Sequence, residues 1–211
     1  MKFQAFSKIP RLSRECIITE KIDGTNAQIA IFDICASPWL DVENSLRHAD
    51  YGGIEMSHNG VDCIMVAGSR TRWIAPGKDK DNFGFAGWVR DNKDELIKLG
   101  PGIHYGEWWG QGIQRGYGLK EKKFSLFNVA RWSDDSVRPA CCGVVPVLYT
   151  GLFATGFAEA MIVRLRMKGS FAAPGYMNPE GIVIYHVAGG YYFKKTIEND
   201  ESPKGLVKDE S

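Results

Sequence analysis

Glu20-Lys21-Ile22-Asp23-Gly24-Thr25-Asn26 runs directly into Ala27-Gln28-Ile29-Ala30-Ile31-Phe32. The first part sets one lysine between two carboxylates at a glycine turn. The second, residues 26–32, alternates polar and apolar residues as a half-buried strand does. A lysine held there can attack a phosphorus atom, provided that other segments supply a triphosphate cradle.

The chain has 211 residues, which suits a single domain over 1–211, with 200–211 expected as a flexible tail. Hydrophobic residues make up 44% and charged residues 24%, enough apolar side chains for a real core. The formal net charge of +1 excludes a broadly basic nucleic-acid coat, so any polynucleotide contact has to come from a local patch. Five cysteines (Cys16, Cys35, Cys63, Cys141, Cys142) form no Cys-x-x-Cys, and no histidine pair has zinc-ligand spacing. Unpaired thiols fit a reducing compartment. The first residues lack a signal-peptide core, and no run reaches membrane-spanning length. The expectation is a soluble cytoplasmic protein, in a host cytoplasm if viral.

Beyond residues 26–32, the segment 33–61 reads as irregular, with loops and a short helix. Asn92-Lys93-Asp94-Glu95 is a capping-box pattern before Leu96-Ile97-Lys98-Leu99, a short surface helix stopped by Gly100-Pro101. Residues 103–109, 124–132 and 144–149 read as strands, and 155–168 as an amphipathic helix with basic residues at its end. Residues 181–187 and 191–196 form a hairpin turning at Gly189-Gly190.

Lysine attack on the α-phosphate of ATP forms a phosphoramide and releases pyrophosphate. The amine must be neutral, and deprotonating a free lysine of pKa ~10.4 at pH 7 costs roughly 4–5 kcal/mol. Nearby cations, burial and a divalent metal reduce that cost. The site therefore needs further basic residues, carboxylates for metal and ribose, and an apolar slot for the base. Around the candidate nucleophile Lys21, Gly24 lets the backbone approach a phosphate. Asn26 offers an amide to a phosphate oxygen, and Glu20 an acceptor for an exocyclic amine, which favours adenine. Ile22 is grouped with these nucleotide-contacting residues.

The Glu-Lys-Ile-Asp-Gly-Thr-Asn run resembles motif I of the covalent nucleotidyltransferase superfamily of RNA ligases, DNA ligases and capping enzymes. It is most similar to the RNA ligase branch typified by the second phage RNA ligase, in which a glutamate precedes the lysine and an asparagine follows five residues later. The resemblance spans roughly residues 17–204 as separated motifs. It implies an α+β adenylation domain of mainly antiparallel sheets with flanking helices and the nucleotide in the groove between them. It also implies an ATP-dependent RNA ligase that passes through covalent lysyl-AMP and RNA-adenylate to strand sealing, as in RNA repair.

The remaining motifs follow in order. Gly68-Ser69-Arg70-Thr71-Arg72 resembles the segment whose arginine contacts phosphate and ribose, with Arg70 favoured over Arg72. Gly106-Glu107-Trp108-Trp109-Gly110 resembles the Gly-Glu segment, which places Glu107 at the ribose and metal. In Phe124-Ser125-Leu126-Phe127-Asn128-Val129 the base-stacking position falls on Phe127, although an aromatic in a strand is commonly core; the family often has aspartate where Asn128 stands. Pro179-Glu180-Gly181-Ile182-Val183-Ile184 resembles the Glu-Gly-x-Val motif, with Glu180 a ligand for Mg²⁺ or Mn²⁺. Phe193-Lys194-Lys195-Thr196 resembles the final Lys-x-Lys motif, with Thr196 in the second lysine's usual place. Lys194 is expected at the α-phosphate and Lys195 on the other face of the strand.

The implied partner is RNA, nicked or broken, with a 5′-phosphate and a 3′-hydroxyl. Residues 110–123 are basic and glycine-rich, either a connector or a track for an RNA backbone. Arg164, Arg166 and Lys168 read as the C-terminal face of a helix. The chain stops soon after the last motif, so either this domain suffices to grip RNA or an accessory RNA-binding partner does so. A minimal DNA ligase, a capping-type guanylyltransferase and a non-catalytic nucleotide- or RNA-binding module remain as alternatives.

Overall fold

The computed structural model describes residues 3–6, 8–34 and 52–201. In chain order come β1 (Glu15–Lys21), β2 (Thr25–Asp33), β3 (Ile54–His58), β4 (Val61–Ser69) and β5 (Trp73–Ile74). Helices α1 (Phe85–Asp91) and α2 (Lys93–Leu96), then a 3-10 turn at Ile97–Leu99, lead to β6 (Gly102–Gly110) and β7 (Lys122–Leu126). Helix α3 (Val129–Trp132), β8 (Cys142–Val144), β9 (Val147–Leu152), α4 (Thr155–Lys168), β10 (Gly181–His186) and β11 (Tyr191–Thr196) follow. The chain is a mixed α+β protein, mostly sheet with few helices.

Two compact units share the chain. The first combines residues up to Ile22 with those from Pro146 onward; the second is Asp23–Val145. In the first, four antiparallel strands lie in the order β11-β10-β1-β9. Alternation along β1 and β10 turns Cys16, Ile18, Ile182 and Ile184 to one face, where Ala158, Ile162 and Leu165 of α4 cover them. Each large apolar side chain buried this way contributes about 1.5–3 kcal/mol. Helix α4 stops at Gly169, whose φ of 76° suits glycine, and a β-carbon there would lie 2.5 Å from the Tyr176 carbonyl oxygen.

In the second unit, β3-β4-β2-β6-β7-β8 form one sheet with β5 paired to β4, all antiparallel except β7 with β8. Ile29 and Ile31 of β2, Met65, Trp108 and Phe124 share a core with Phe85, Val89, Leu96 and Leu99 from the helical segment. The rings of Phe85, Trp88, Trp108 and Phe124 lie 5.0–5.7 Å apart, an aromatic cluster that holds the helices on the sheet.

Several sequence expectations need correction. Residues 35–51 of the irregular segment lie outside the described residues, but 54–58 form β3, paired with β4. The proposed strand over 124–132 ends at Leu126, because the Asn128 side chain accepts the Arg131 N–H at 3.1 Å and caps α3 instead. The proposed strand over 144–149 is two strands in different sheets. Pro146 has no N–H for a ladder, and its carbonyl accepts from the Glu20 N–H, whereas the Val145 N–H bonds to Leu126. No side-chain capping box forms at Asn92: its amide donates to the Trp88 carbonyl, and the helix is not superficial, since Leu96 and Leu99 are fully buried. Helix α4 and the β10–β11 hairpin fall where the sequence put them, the turn closing through Gly190 N–H to His186.

Candidate active site

Lys21 is the last residue of β1, opposite Gly181 of β10. Its Nζ lies 2.6 Å from Glu180 Oε2, with the two side chains 19% and 4% exposed. Glu180 sits just before β10, so the Glu-Gly pair places a carboxylate at the end of the strand next to the lysine. Register carries this outward: Thr19 pairs with Val183, and Val183 with Lys194. Lys21 and Lys194 therefore share the sheet face opposite α4, with backbones about 12 Å apart across one intervening strand. Lys195 falls on the other face, within 3.4 Å of Glu159 of α4 and 3.1 Å of Asp200. Its pKa is raised, first by the hydrogen bond to Asp200 and then by that to Glu159.

Glu20 alternates to the α4 side and is 1% exposed. Its carboxylate accepts from Ser170 Oγ at 2.6 Å, Phe171 N–H at 2.7 Å and Ala172 N–H at 2.9 Å. Burial pushes its pKa up, and the bonds from Ser170, Ala172 and Phe171 oppose that rise. Both carboxylate oxygens are thus engaged on the α4 side, away from Lys21, which corrects the expectation of Glu20 as an acceptor for the exocyclic amine. Ile22, the last residue of this unit's first segment, is buried.

The other candidates lie in the second unit. Asn26 and Glu107 are directly opposed on β2 and β6. They share the face away from the α1–α2 core, as does Phe127 by alternation one residue beyond Leu126. Phe127 is half-buried, and its N–H extends the ladder to Tyr105; Phe124 is the aromatic that enters the core. Glu107 Oε1 accepts the Gly24 N–H at 3.1 Å. Gly24 is needed for packing: a β-carbon there would lie 2.5 Å from the Trp108 carbonyl oxygen and 2.7 Å from Trp109 Cβ. Arg70 and Arg72 are exposed on the tight turn between β4 and β5, where Ser69 N–H bonds to the Arg72 carbonyl.

Residues without a role in the sequence reading hold this turn in place. Asp23 N–H donates to Tyr117 Oη at 2.7 Å, and Arg115 Nε lies 3.1 Å from Asp23 Oδ2. Tyr117 is buried at φ 53° with its ring edge-on to Trp109. Three of the four basic residues of 110–123 are engaged within the fold, Arg115 by Asp23, Lys122 by the Phe83 carbonyl and Lys123 by Glu121, while Lys120 is exposed. The one available signal was an arginine and a tyrosine closely following Glu107. Arg164 and Arg166 likewise donate within the fold, to the carbonyls of Leu148 and Ile197.

For a metal, Glu180 and Glu107 each offer hard oxygen. Among the described residues no group of three acidic, histidine or cysteine side chains could hold an ion alone. A single carboxylate, in either unit, suits Mg²⁺ or Mn²⁺ completed by phosphate oxygens and water, and does not make a closed protein cage.

The RNA ligase family model matches residues 14–198, most of the chain. The chain belongs to the RNA ligase family. No curated protein matches it. Among solved structures, a Naegleria gruberi RNA ligase point mutant with ATP and Mn aligns with a TM-score of 0.55 and 18% identity, over 89% of this chain and 51% of that one. The same organism's RNA ligase with PPi aligns with a TM-score of 0.53 and 18% identity, over 87% and 50%. At this identity the likeness speaks for the fold alone. This RNA ligase family chain spans about half the length of those enzymes. Among the described residues no helix is long and apolar enough to cross a membrane.

Proposed function

We propose that this chain is an ATP-dependent RNA ligase acting through a covalent lysyl-AMP on Lys21, with residues 1–211 a single nucleotidyltransferase domain. The observation that carries the reading is the Lys21–Glu180 contact of 2.6 Å on the sheet face that also bears Lys194, in a chain of the RNA ligase family. The Glu20 and Asn26 positions favour the branch of the second phage RNA ligase. The free thiols of Cys16, Cys141 and Cys142 accord with a cytoplasmic setting.

In the first step the Lys21 Nζ lone pair forms a bond to the α-phosphorus of ATP, and the bond from that phosphorus to the bridging oxygen breaks, releasing pyrophosphate. Glu180 orients Nζ and lies at the distance of a proton acceptor. Lys194 meets the α-phosphate, and Arg70 supplies a planar fork to a phosphate oxygen. Asn26, Glu107 and Phe127 face ribose and base, while Gly24 and Ile22 fix the strand ends. Glu20, buried on the face of the sheet away from Lys21 with both oxygens bonded to Ser170, Phe171 and Ala172, holds residues 170–172 and does not reach the base. Mg²⁺ or Mn²⁺, when bound by carboxylate and phosphate oxygens, supplies charge neutralisation at the reacting phosphates. In the second step an oxygen of the RNA 5′-phosphate attacks the adenylyl phosphorus and Lys21 leaves. In the third the 3′-hydroxyl attacks the 5′-phosphorus and AMP leaves, sealing the strand.

Incubation with radiolabelled ATP, GTP or NAD⁺ tests the first step: a band labelled by ATP and absent in Lys21→Ala is expected. Labelling by GTP alone, or undiminished labelling of Lys21→Ala, would overturn the reading. Nicked duplex RNA, RNA–DNA hybrid and DNA substrates then decide the polymer.

A further inference from the structure

The face of the four-stranded sheet that carries Lys21 continues beyond the residues assigned above. Tyr185 of β10 pairs with Tyr192 of β11, their rings 4.7 Å apart and tilted by 32°. These rings lie away from the α4 core: the buried side chains of β10 are Ile182, Ile184 and His186, on the opposite face. Tyr192 is 65% exposed at the edge of the sheet. The register places them in line with the candidate chemistry. Lys21, Gly181 and Thr196 form one row, Thr19, Val183 and Lys194 the next but one, and Ile17, Tyr185 and Tyr192 the next but one again. The tyrosine pair therefore lies about 14 Å along the strands from the Lys21 row, with Lys194 midway.

An exposed ring backed by a half-buried one, beside a cation on the nucleophile's own face, matches what a single strand needs: a π-surface for bases and positive charge for phosphates. Lys8, Arg11 and Arg14 are exposed in the segment leading into β1, at the tyrosine end of the sheet, where Leu12 accepts a bond from His186. The exposed carboxylate of Glu15 opposes this charge, leaving a positive excess with Lys194. About 14 Å corresponds to roughly four stacked nucleotides at 3.4 Å each.

We infer that Tyr185 and Tyr192 form a stacking platform for the single-stranded RNA end that is delivered to Lys21, with Lys194 and the 8–14 segment contacting its phosphates. This rests on the ligase reading for the direction of the strand, and deepens it. It also predicts sequence-tolerant, salt-sensitive binding, because every base has a π-face.

The test is fluorescence anisotropy of the full chain with a labelled, 5′-phosphorylated single-stranded RNA of roughly ten nucleotides. Tyr192→Ala is expected to weaken binding about 5- to 100-fold, and Tyr185→Ala with Tyr192→Ala more. Tyr192→Phe should restore it, and adenylation of Lys21 from ATP should stay unchanged in all three. Wild-type RNA affinity in the double variant overturns the platform. So does conversion of a wild-type dimer to monomer by Tyr192→Ala with RNA affinity intact, which would assign the face to a second copy. If wild-type protein never labels from ATP yet loses RNA with Tyr192→Ala, the ligase chemistry fails and the platform stands. If labelling proceeds and the variants bind and seal as wild type does, the platform alone fails.

Discussion

Gly24→Ala separates two reasons for the glycine in the Lys-x-Asp-Gly turn. If it serves only to let the backbone approach a phosphate, alanine should leave the nucleotide-free protein as stable as wild type. The structure says otherwise, because the added β-carbon would meet the Trp108 carbonyl oxygen at 2.5 Å, Trp109 Cβ at 2.7 Å and Glu107 Cγ at 3.0 Å. The first two belong to residues only 2% exposed. Their indoles are tied down as well, Trp108 to the Phe83 carbonyl and Trp109 to Ser125 Oγ. They cannot swing aside as a flexible side chain would, so β2 and β6 must separate locally. Overpacking of this kind costs about 1–3 kcal/mol, which lowers Tm by about 3–15 °C in a unit of this size. Thermal unfolding without nucleotide, followed by circular dichroism, measures it. Gly156→Ala is the control: it lies in α4 with nothing near the added carbon, and should hold or raise Tm. A Gly24→Ala protein melting within about 1 °C of wild type, at unchanged cooperativity, would refute the packing argument and return the glycine to the phosphate.

Glu20 should give stability an unusual pH slope. Its folded pKa is raised from the ordinary 4.5, so the folded state holds the proton more tightly than the unfolded chain does. Its contribution is fully present below 4.5 and is lost as pH rises through the folded value. Glu20→Gln should remove that segment of the slope in Tm against pH, and superimposable slopes would count against the assignment. Tyr117→Phe takes the acceptor from the buried Asp23 N–H and should destabilise by about 1–3 kcal/mol in urea unfolding, where no change would show that the bond contributes nothing. Cys141 lies 4.0 Å from Cys142, and the hydrogen bond between them lowers the Cys141 pKa while raising that of Cys142. Peptide mapping after brief alkylation near neutral pH should find Cys141 modified before Cys142, Cys16 and Cys63; the reverse order would show the thiolate misplaced.

What the sequence disclosed, and what it withheld, follows from the range of the interactions concerned. Alternation is local, so residues 26–32 were legible as strand, and the placement of Lys194 and Lys195 on opposite faces needed only the period of two. The Phe124–Trp132 run was misjudged because apolar spacing cannot tell a strand from a strand followed by one helical turn; a single hydrogen bond from Asn128 decides it. Pro146 carried the warning that 144–149 could not be one central strand. The partners of Glu20 and Asp23 were out of reach. Ser170 stands 150 residues from the carboxylate that it donates to, and Tyr117 stands 94 from the amide that it accepts. Nothing in the local pattern marks either pairing.

The same separation explains why the glycine-rich stretch after Glu107 was open to misreading. Its basic residues look like a track for a polyanion when counted along the sequence. In the fold, Ile113 and Tyr117 are buried, and Arg115 meets Asp23 two residues from the nucleophile. Charge used to hold the motif turn is not available to phosphate. A polynucleotide has to be gripped by cations that the fold leaves exposed, and near the Lys21 face these include Lys194, with the Tyr185–Tyr192 row beyond it, and Lys8, Arg11 and Arg14 at the tyrosine end. If Arg115→Ala lowered RNA affinity while leaving stability and Lys21 labelling intact, this division of roles would be wrong, since loss of a brace on Asp23 must register in the turn first.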